Sequence, residues 1–368
     1  WFDTYKAFLI EQGWEMCFKE PGLFRKKDSS GQYMHVTVYV DDSIIVGPNQ
    51  ADIRIEMNKI LKRFPGKVIP PVIDGEGNHI RDVIGVTMKY NREKKYLDLT
   101  IEKAIDKFLK QYNMENCRPV ATPCIPGEDV AGGEADPVFP LRALVGCLLY
   151  IAVMCRPDIS FAVQRVARCV CSPTKNAVRA GKRILAYLKK TKHIGIIYSP
   201  EHERAFRETF SPVVQVAGKS LPNTIAFGDA DFAGCSDTLK STSGSIIYHR
   251  GSPIAWSAKR QTLRATSTCQ AEYIALYDTM RLCQKQGFLS WYFPEGSLPL
   301  ILCDNQSAIA TAISTFTTKA TKHFLLRLHE IRDHKDCIIY CPTDINRADP
   351  LTKPLSFEKY SKLFHSGE

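Results

Sequence analysis

The chain opens with "WFDTYKAFLIEQGWEMC", in which Trp1, Tyr5, Phe8 and Leu9 recur at helical intervals before the pattern breaks at Glu20-Pro21-Gly22. From Tyr33 the text "YMHVTVYVDDSIIVG" reads as a hairpin. Val36, Val38 and Val40 on one strand and Ile44, Ile45 and Val46 on the other are apolar on both faces, which predicts a largely covered hairpin with Asp41 and Asp42 at its tip. The helical period returns in "NQADIRIEMNKILKRF", with Ile53, Met57, Ile60, Leu61 and Phe64 inward, and stops at Pro65-Gly66. "RDVIGVTMKYNREKKYLDLT" supplies two short strands around a polar turn, and "IEKAIDKFLKQY" a further amphipathic helix. Helix, hairpin, helix, hairpin, helix is an α+β arrangement.

Residues 119–140, rich in Pro, Gly and acid, read as a connecting loop, and residues 141–192 as a helical block broken at Arg156-Pro157-Asp158 and Ser172-Pro173. Its last helix, "NAVRAGKRILAYLKKTK", groups Arg179, Lys182, Arg183, Lys189, Lys190 and Lys192, either as a solvated face or as phosphate contacts. Residues 200–222 show no clear period and are expected to be an interdomain linker. Beyond them the pattern changes to strand "NTIAFGDA", a hairpin turning at Arg250-Gly251, and the long helix "CQAEYIALYDTMRLCQKQGFLSWYF". Strand "PLILCD", helices "NQSAIATAI" and "TKHFLLRLHEIRDH", strand "CIIYC" and a final helix from about Asp349 complete the chain. There is no internal repeat.

With 368 residues, two domains or one large elaborated domain are expected. A formal net charge of +10 suits a polyanionic partner without specifying one. Thirteen scattered cysteines on so long a chain favour reduced thiols in an intracellular protein over a disulfide framework. The stretch "ALVGCLLYIAVMC" is too short to cross the roughly 30 Å of a bilayer as a helix, so no membrane partner is expected. No signal peptide is apparent, and a start at Trp1 marks the chain as a fragment of a longer product. A phosphate-cradling glycine loop and a nucleophile triad are both missing from the motifs, which argues against an ordinary metabolic enzyme.

A bare Asp-Asp pair is ordinarily a surface turn. Two carboxylates held at the tip of a covered hairpin would instead repel unless a cation lay between them. Two divalent ions about 3.5–4 Å apart can clamp the attacking and leaving oxygens of a phosphoryl transfer, so Tyr39-Val40-Asp41-Asp42 points to nucleotidyl transfer. "MHVTVYVDDSIIVG" resembles the Tyr-x-Asp-Asp catalytic hairpin of reverse transcriptases, and its surroundings resemble the copia (Ty/copia) class of long-terminal-repeat retrotransposons. The likeness continues through "VIGVTMKY", "CRPVATP", "LVGCLLYIAVMCRPDISFAV" and "GKRILAYLKKTKHIGIIY". It implies that Asp41 and Asp42 are two of three magnesium-binding palm carboxylates. The third would precede Trp1, so the fragment is not expected to polymerise DNA alone.

A second acidic set is distributed more widely. Asp229 and Asp304 end strands, Glu272 lies in the first turns of a helix and Asp349 opens the last one. Strand ends at one sheet edge are where an α/β domain gathers functional groups, and converging carboxylates suit metal-assisted phosphodiester hydrolysis. Singly, each also has a plain reading as a turn or helix N-terminal acid. As an ordered set, "GDADFAG", "CQAEYIAL", "LCDNQSAI" and "NRADPLTKPL" resemble the four metal-binding segments of a ribonuclease H domain, with Asp231 the alternative to Asp229. The resemblance implies RNA/DNA hybrid gripped partly through 2′-hydroxyls, and in that context Lys319, Lys322, His323 and Arg327 read as phosphate contacts, with a solvated basic face as the alternative. Zinc at His323, His329, His334, Cys337 and Cys341 is not expected. Cys337 and Cys341 end a strand spanning roughly 13 Å, too far apart to share an ion at about 2.3 Å from each sulfur.

The expected architecture is therefore an α+β reverse-transcriptase palm remnant (1–118) with helical thumb/connection (119–199), a linker (200–222), an α/β ribonuclease H-like domain with a mixed sheet (223–355) and a tail (356–368). Mg2+, with Mn2+ as substitute, is the expected cofactor. RNA/DNA hybrid, template-primer and other Pol polyprotein segments are the expected partners. The resemblance implies an intracellular, cytoplasmic particle with a route to the nucleus. The competing reading is a degenerate or co-opted nucleic-acid-binding remnant without catalysis, motivated by the late start and by the 200–222 insertion, for which the resemblance offers no counterpart.

Overall fold

The computed structural model describes residues 1–235, 238–291, 298–314 and 325–364. These fall into two compact units: Trp1–Pro70 with the described part of Cys283–Ser297, and the described residues of Pro71–Leu282 and Leu298–Glu368. The N-terminal part of the first unit ends near residue 70, the expected segment 119–199 belongs to the second, and so does the expected segment 223–355 apart from Cys283–Ser297.

In the first unit, helix α1 (Phe2–Glu11) precedes a four-stranded sheet of β1 (Glu15–Met16), β2 (Leu23–Lys27), β3 (Tyr33–Tyr39) and β4 (Asp42–Val46), paired antiparallel in that order. Helix α2 (Gln50–Arg63) follows, capped by the Asn49 side chain accepting from the Ala51 N–H. It stops at extended Phe64 because a residue before proline is pushed out of the helical region. Met34, Val36 and Val38 alternate inward against Tyr5, Leu9 and Phe24. The hairpin is covered mainly on that face. Tyr39, Val40 and Val46 are exposed, correcting the expectation of a hairpin buried on both sides. Helices α1 and α2 cover this face; on the other face of β3, Tyr33, Thr37 and Tyr39 are exposed while His35 is half-buried against the Trp291 ring.

The second unit holds two sheets. Strands β5 (Val72–Ile73), β6 (His79–Val83), β7 (Val86–Asn91) and β8 (Tyr96–Thr100) form an antiparallel meander, two strands more than the sequence pattern predicted. The turn between β6 and β7 uses Ile84 and Gly85, both at positive φ. Four helices follow: α3 (Glu102–Gln111), α4 (Leu141–Met154), α5 (Ser160–Ala167) and α6 (Lys175–Lys190), the last capped by Thr174. Strand β9 (Ile196–Tyr198) then returns to the free edge of β8. The helices share one apolar core, and the break at Arg156-Pro157-Asp158 supplies a buried ion pair there. Arg156 donates to both oxygens of Asp158 and to the carbonyl and hydroxyl of Thr191, while the Tyr187 hydroxyl donates to Asp158.

The expected linker is not a loop. Residues Pro200–Val216 form helix α7, capped by Ser199, and bury Phe206, Phe210 and Val214 at i, i+4 and i+8. Its apolar face is narrow and interrupted by Pro212, which hides the period in the sequence. Strands β10 (Thr224–Asp231), β11 (Thr242–His249) and β12 (Ser252–Arg260) are antiparallel. After helix α8 (Thr268–Lys285) come β13 (Leu300–Cys303), helices α9 (Gln306–Ile313) and α10 (Leu325–Arg332), and β14 (Ile338–Tyr340). β13 and β14 run parallel to β10, giving the order β12-β11-β10-β13-β14 and the expected mixed sheet. Asp349 opens a single 3-10 turn, Asp349–Leu351, rather than the last helix. That helix, α11 (Phe357–Phe364), buries Tyr360 and Leu363 where a tail was expected. Among the described residues no helix is long and apolar enough to cross a membrane, and all thirteen cysteines are unbridged.

Candidate metal centre

Parallel pairing of β10 with β13 matches Phe227 to Leu302, so Asp229 and Asp304, each two residues further on, leave the sheet at the same level. Glu272 projects from the first turns of α8. That helix lies so close to β10 that a Cβ on Gly228 would meet the Thr279 hydroxyl at 2.7 Å. Asp349 arrives on the 3-10 turn. It can do so because Gly244, paired with Asp229 across β11, has no side chain: a Cβ there would lie 2.9 Å from both the Ala348 carbonyl and Leu351 Cβ. Asn346 fixes the approach by donating to the Gly228 carbonyl at 3.1 Å.

Ligand-type atoms of Asp229, Asp304 and Asp349 lie within 4.8 Å of one another, and so do those of Glu272, Cys303 and Asp304. Asp304 belongs to both groups. Asp231, two residues beyond Asp229, belongs to neither. Asp229 and Asp349 are buried, whereas Glu272 and Asp304 are half-buried and form the less covered side of the cluster.

Burial, reinforced by Asp349 and Asp304, pushes the Asp229 carboxyl up to about 7, against the opposing pull of Lys353 and of a hydrogen bond from Thr352. Burial, then Asp229 and Asp304, pushes Glu272 up to about 9. Glu272 accepts from the Ala230 N–H, while its Oε2 is buried without a hydrogen-bond partner. Carboxylates in this state fit a cation site, since an opposite charge favours their ionised form. The donors also select the kind of cation. Burial holds the Cys303 thiol well above its ordinary range, and a protonated thiol is a poor ligand, so four carboxylates remain, a set suited to a hard divalent ion.

The other expected site residues are not drawn together here. Asp41 sits in the β3–β4 turn and Asp42 at the start of β4. Both are exposed, and among the described residues they join no group of three candidate ligands. Val40 beside them has φ +51, unusual for a β-branched residue. On α6, Arg183 donates to the Thr122 hydroxyl and Lys189 to the Cys117 carbonyl, tying down the preceding loop. Lys182 lies over the Phe139 ring and Lys190 over Phe357, and both are exposed. Arg327 is half-buried over the Tyr277 ring. Lys319, Lys322 and His323 lie outside the described residues. Sequence reasoning missed Thr352 and two lysines: Lys353, 3.0 Å from Asp349 and 3.8 Å from Asp229, and Lys359, 2.6 Å from Asp349. A cation one helical turn after an acid was the available signal for Lys353.

No family model matches the chain. It is 29% identical over 376 aligned positions to the "Retrovirus-related Pol polyprotein from transposon TNT 1-94" of Nicotiana tabacum, an alignment covering 98% of this chain and 26% of that protein. It is 30% identical over 368 positions to the corresponding polyprotein from transposon RE1 of Arabidopsis thaliana, covering 97% and 23% respectively. The chain is a homologue of copia-type transposon Pol polyproteins. The likeness extends to the "Transposon Ty1-BR Gag-Pol polyprotein" of Saccharomyces cerevisiae, at 23% identity over 99% of the chain and 20% of that protein. The Pol homologue thus spans about a quarter of the length of the plant relatives it matches. Among solved structures, the N-terminal RNase H domain of rv2228c from Mycobacterium tuberculosis, solved as a fusion with maltose binding protein, aligns over 39% of this chain and 99% of that one. Its TM-score of 0.26 and 15% identity are too slight to argue from.

Proposed function

We propose that this Pol homologue hydrolyses the RNA strand of RNA/DNA hybrids at a divalent-metal centre formed by Asp229, Glu272, Asp304 and Asp349. One observation carries the reading: four acids spread over 120 residues of sequence meet as two overlapping groups around Asp304. Asp229, Asp304 and Asp349 would hold one magnesium ion, and Glu272 with Asp304 a second, manganese being the natural substitute. Bound there, the ions supply Lewis-acid stabilisation and a water acidic enough to act near neutral pH.

The chain's own groups prepare the centre. Thr352 donates to Asp229 and to the Asp349 carbonyl, locking the turn that carries Asp349 onto the strand that carries Asp229. Burial of these two acids closes the rear of the cluster to water. The half-buried Glu272 and Asp304 mark the less covered side, from which a phosphodiester would approach. Discrimination of RNA from DNA would rest on contacts to 2′-hydroxyls, and Arg327, with Lys182 and Lys190 further off, is assigned to phosphates. Residues 1–118 are assigned to the palm and 119–199 to the thumb and connection of the polymerase half, with Asp41 and Asp42 as two of its metal ligands. Hydrolysis, not polymerisation, is proposed for the described residues, because only the 229/272/304/349 set gathers enough ligands.

The test incubates residues 1–368 with end-labelled RNA/DNA hybrid and magnesium. RNA-strand cleavage is expected, abolished by chelator and by Asp304→Asn. Cleavage that survives Asp304→Asn refutes the site. Salt-sensitive hybrid binding without turnover in magnesium or manganese would make the chain a binding remnant instead.

A further inference from the structure

Asp349 is fully buried, yet both its carboxylate oxygens are matched by ammonium groups. Lys353 Nζ lies 3.0 Å from Oδ1 and Lys359 Nζ 2.6 Å from Oδ2. The two lysines differ in what else they reach. Lys359, on α11, reaches Oδ2 of Asp349 alone among the described carboxylates. Lys353 extends between Asp349 and Asp229, 3.8 Å from Asp229 Oδ2. Its positive charge therefore stands among oxygens of a group whose ligand atoms all lie within 4.8 Å of one another. Two buried carboxylates this close are costly without a cation, and in the chain as it stands Lys353 is that cation.

Lys353 is also built to leave. It sits on the Asp349 segment itself, so no partner element has to move, and its side chain is one-third exposed, with a flexible four-carbon stem leading towards water. Two cations at such range repel, so the ammonium and a divalent ion cannot share the place. We propose that Lys353 is the built-in counter-cation of the metal-free chain, occupying the seat between Asp229 and Asp349, and that a divalent ion enters that seat by displacing it. The inference rests on reading the cluster as a metal centre, not on its substrate. Lys353 thereby tunes metal affinity: it stabilises the metal-free fold and competes with the ion.

The test is calorimetric titration of metal-free residues 1–368 with Mn2+, without nucleic acid, alongside thermal unfolding with and without the ion. In Lys353→Met the Kd for Mn2+ should fall about tenfold, equivalent to about 1.4 kcal/mol. Its metal-free Tm should drop, and the rise in Tm on adding Mn2+ should exceed that of the unaltered chain. Lys353→Arg, which keeps the charge, should bind Mn2+ much as the unaltered chain does. A merely structural lysine would lower Tm equally with and without Mn2+ and leave Kd unchanged, and that result overturns the proposal. If Lys353→Met folds only in Mn2+, the metal-free role is upheld in its strongest form. If it folds in neither condition, the proposal falls. Tighter Mn2+ binding by Lys353→Met in a chain that cleaves no hybrid would sink the nuclease reading alone. Hybrid cleavage with an unchanged Lys353→Met affinity would sink this inference alone.

Discussion

At the scale of single residues, Asp229 concentrates the energetics of the site. It is 1% exposed, and burial together with neighbouring acids raises its carboxyl to about 7, well above a free aspartate. The folded metal-free chain therefore binds a proton there more tightly than the unfolded chain does. Stability from this group is fully present below about pH 4 and is lost as pH rises through about 7, with Glu272 extending the loss towards about 9. Asp229→Asn removes the ionisation. In chelator its Tm should equal or exceed that of the unaltered chain by a margin that grows from pH 5 to pH 8, and added Mn2+ should reverse the order. A margin that does not change with pH would mean that Asp229 is not the buried acid described here. Asp229, Asp304 and Glu272 could be singled out in the sequence because strand ends and helix starts are positions that local pattern can locate, whereas Asp349 stood out only as a member of the ordered acidic set, the helix expected to start at it being a 3-10 turn. Thr352 and Lys359 were not legible, and Lys353 only by its spacing from Asp349, since Thr352 acts from a turn packed against Gly244 and Lys359 reaches Asp349 from α11, contacts that no local pattern encodes.

At the scale of elements, α7 shows what the hydrophobic pattern left out. Three apolar residues on a narrow stripe, broken by Pro212, look like a linker, although Ser199 and Pro200 form a helix start signal. What decides its structure is the sheet beneath it. Phe206 and Phe210 stack among Phe227 and Tyr248, with Phe210 and Phe227 ring centres 5.0 Å apart. Phe210→Ala should therefore cost about 3–5 kcal/mol, read as a lowered denaturant midpoint at unchanged m-value. A solvated linker would lose less than about 0.5 kcal/mol. The same reasoning explains α11, whose Tyr360 joins the core of the helical block and meets Tyr187 edge-on at 6.1 Å. A helix with a strong period, such as α6 with its nine buried residues, was readable because its apolar face is wide enough to show without knowledge of its partners.

At the scale of the whole molecule, the two acidic sets belong to different compact units. All four residues of the Asp229 cluster lie within the unit of Pro71–Leu282 and Leu298–Glu368, whereas Asp41 and Asp42 lie in the unit that begins at Trp1. The Tyr-Val-Asp-Asp hairpin was the clearest sign of lineage in the sequence, and homology to transposon Pol polyproteins bears that lineage out. Its position, however, is an exposed turn on a strained Val40, with no third ligand among the described residues. Lineage and chemistry therefore separate along the chain, and mutation can tell them apart. The double variant Asp41→Asn, Asp42→Asn should cleave RNA/DNA hybrid at the rate of the unaltered chain and unfold within about 0.5 kcal/mol of it, as surface substitutions do. Asp304→Asn should abolish cleavage while leaving the fold in place. If the double variant lost hydrolysis with its fold intact, the paired aspartates would be acting on the nuclease centre, and the independence of the two acidic sets would be wrong.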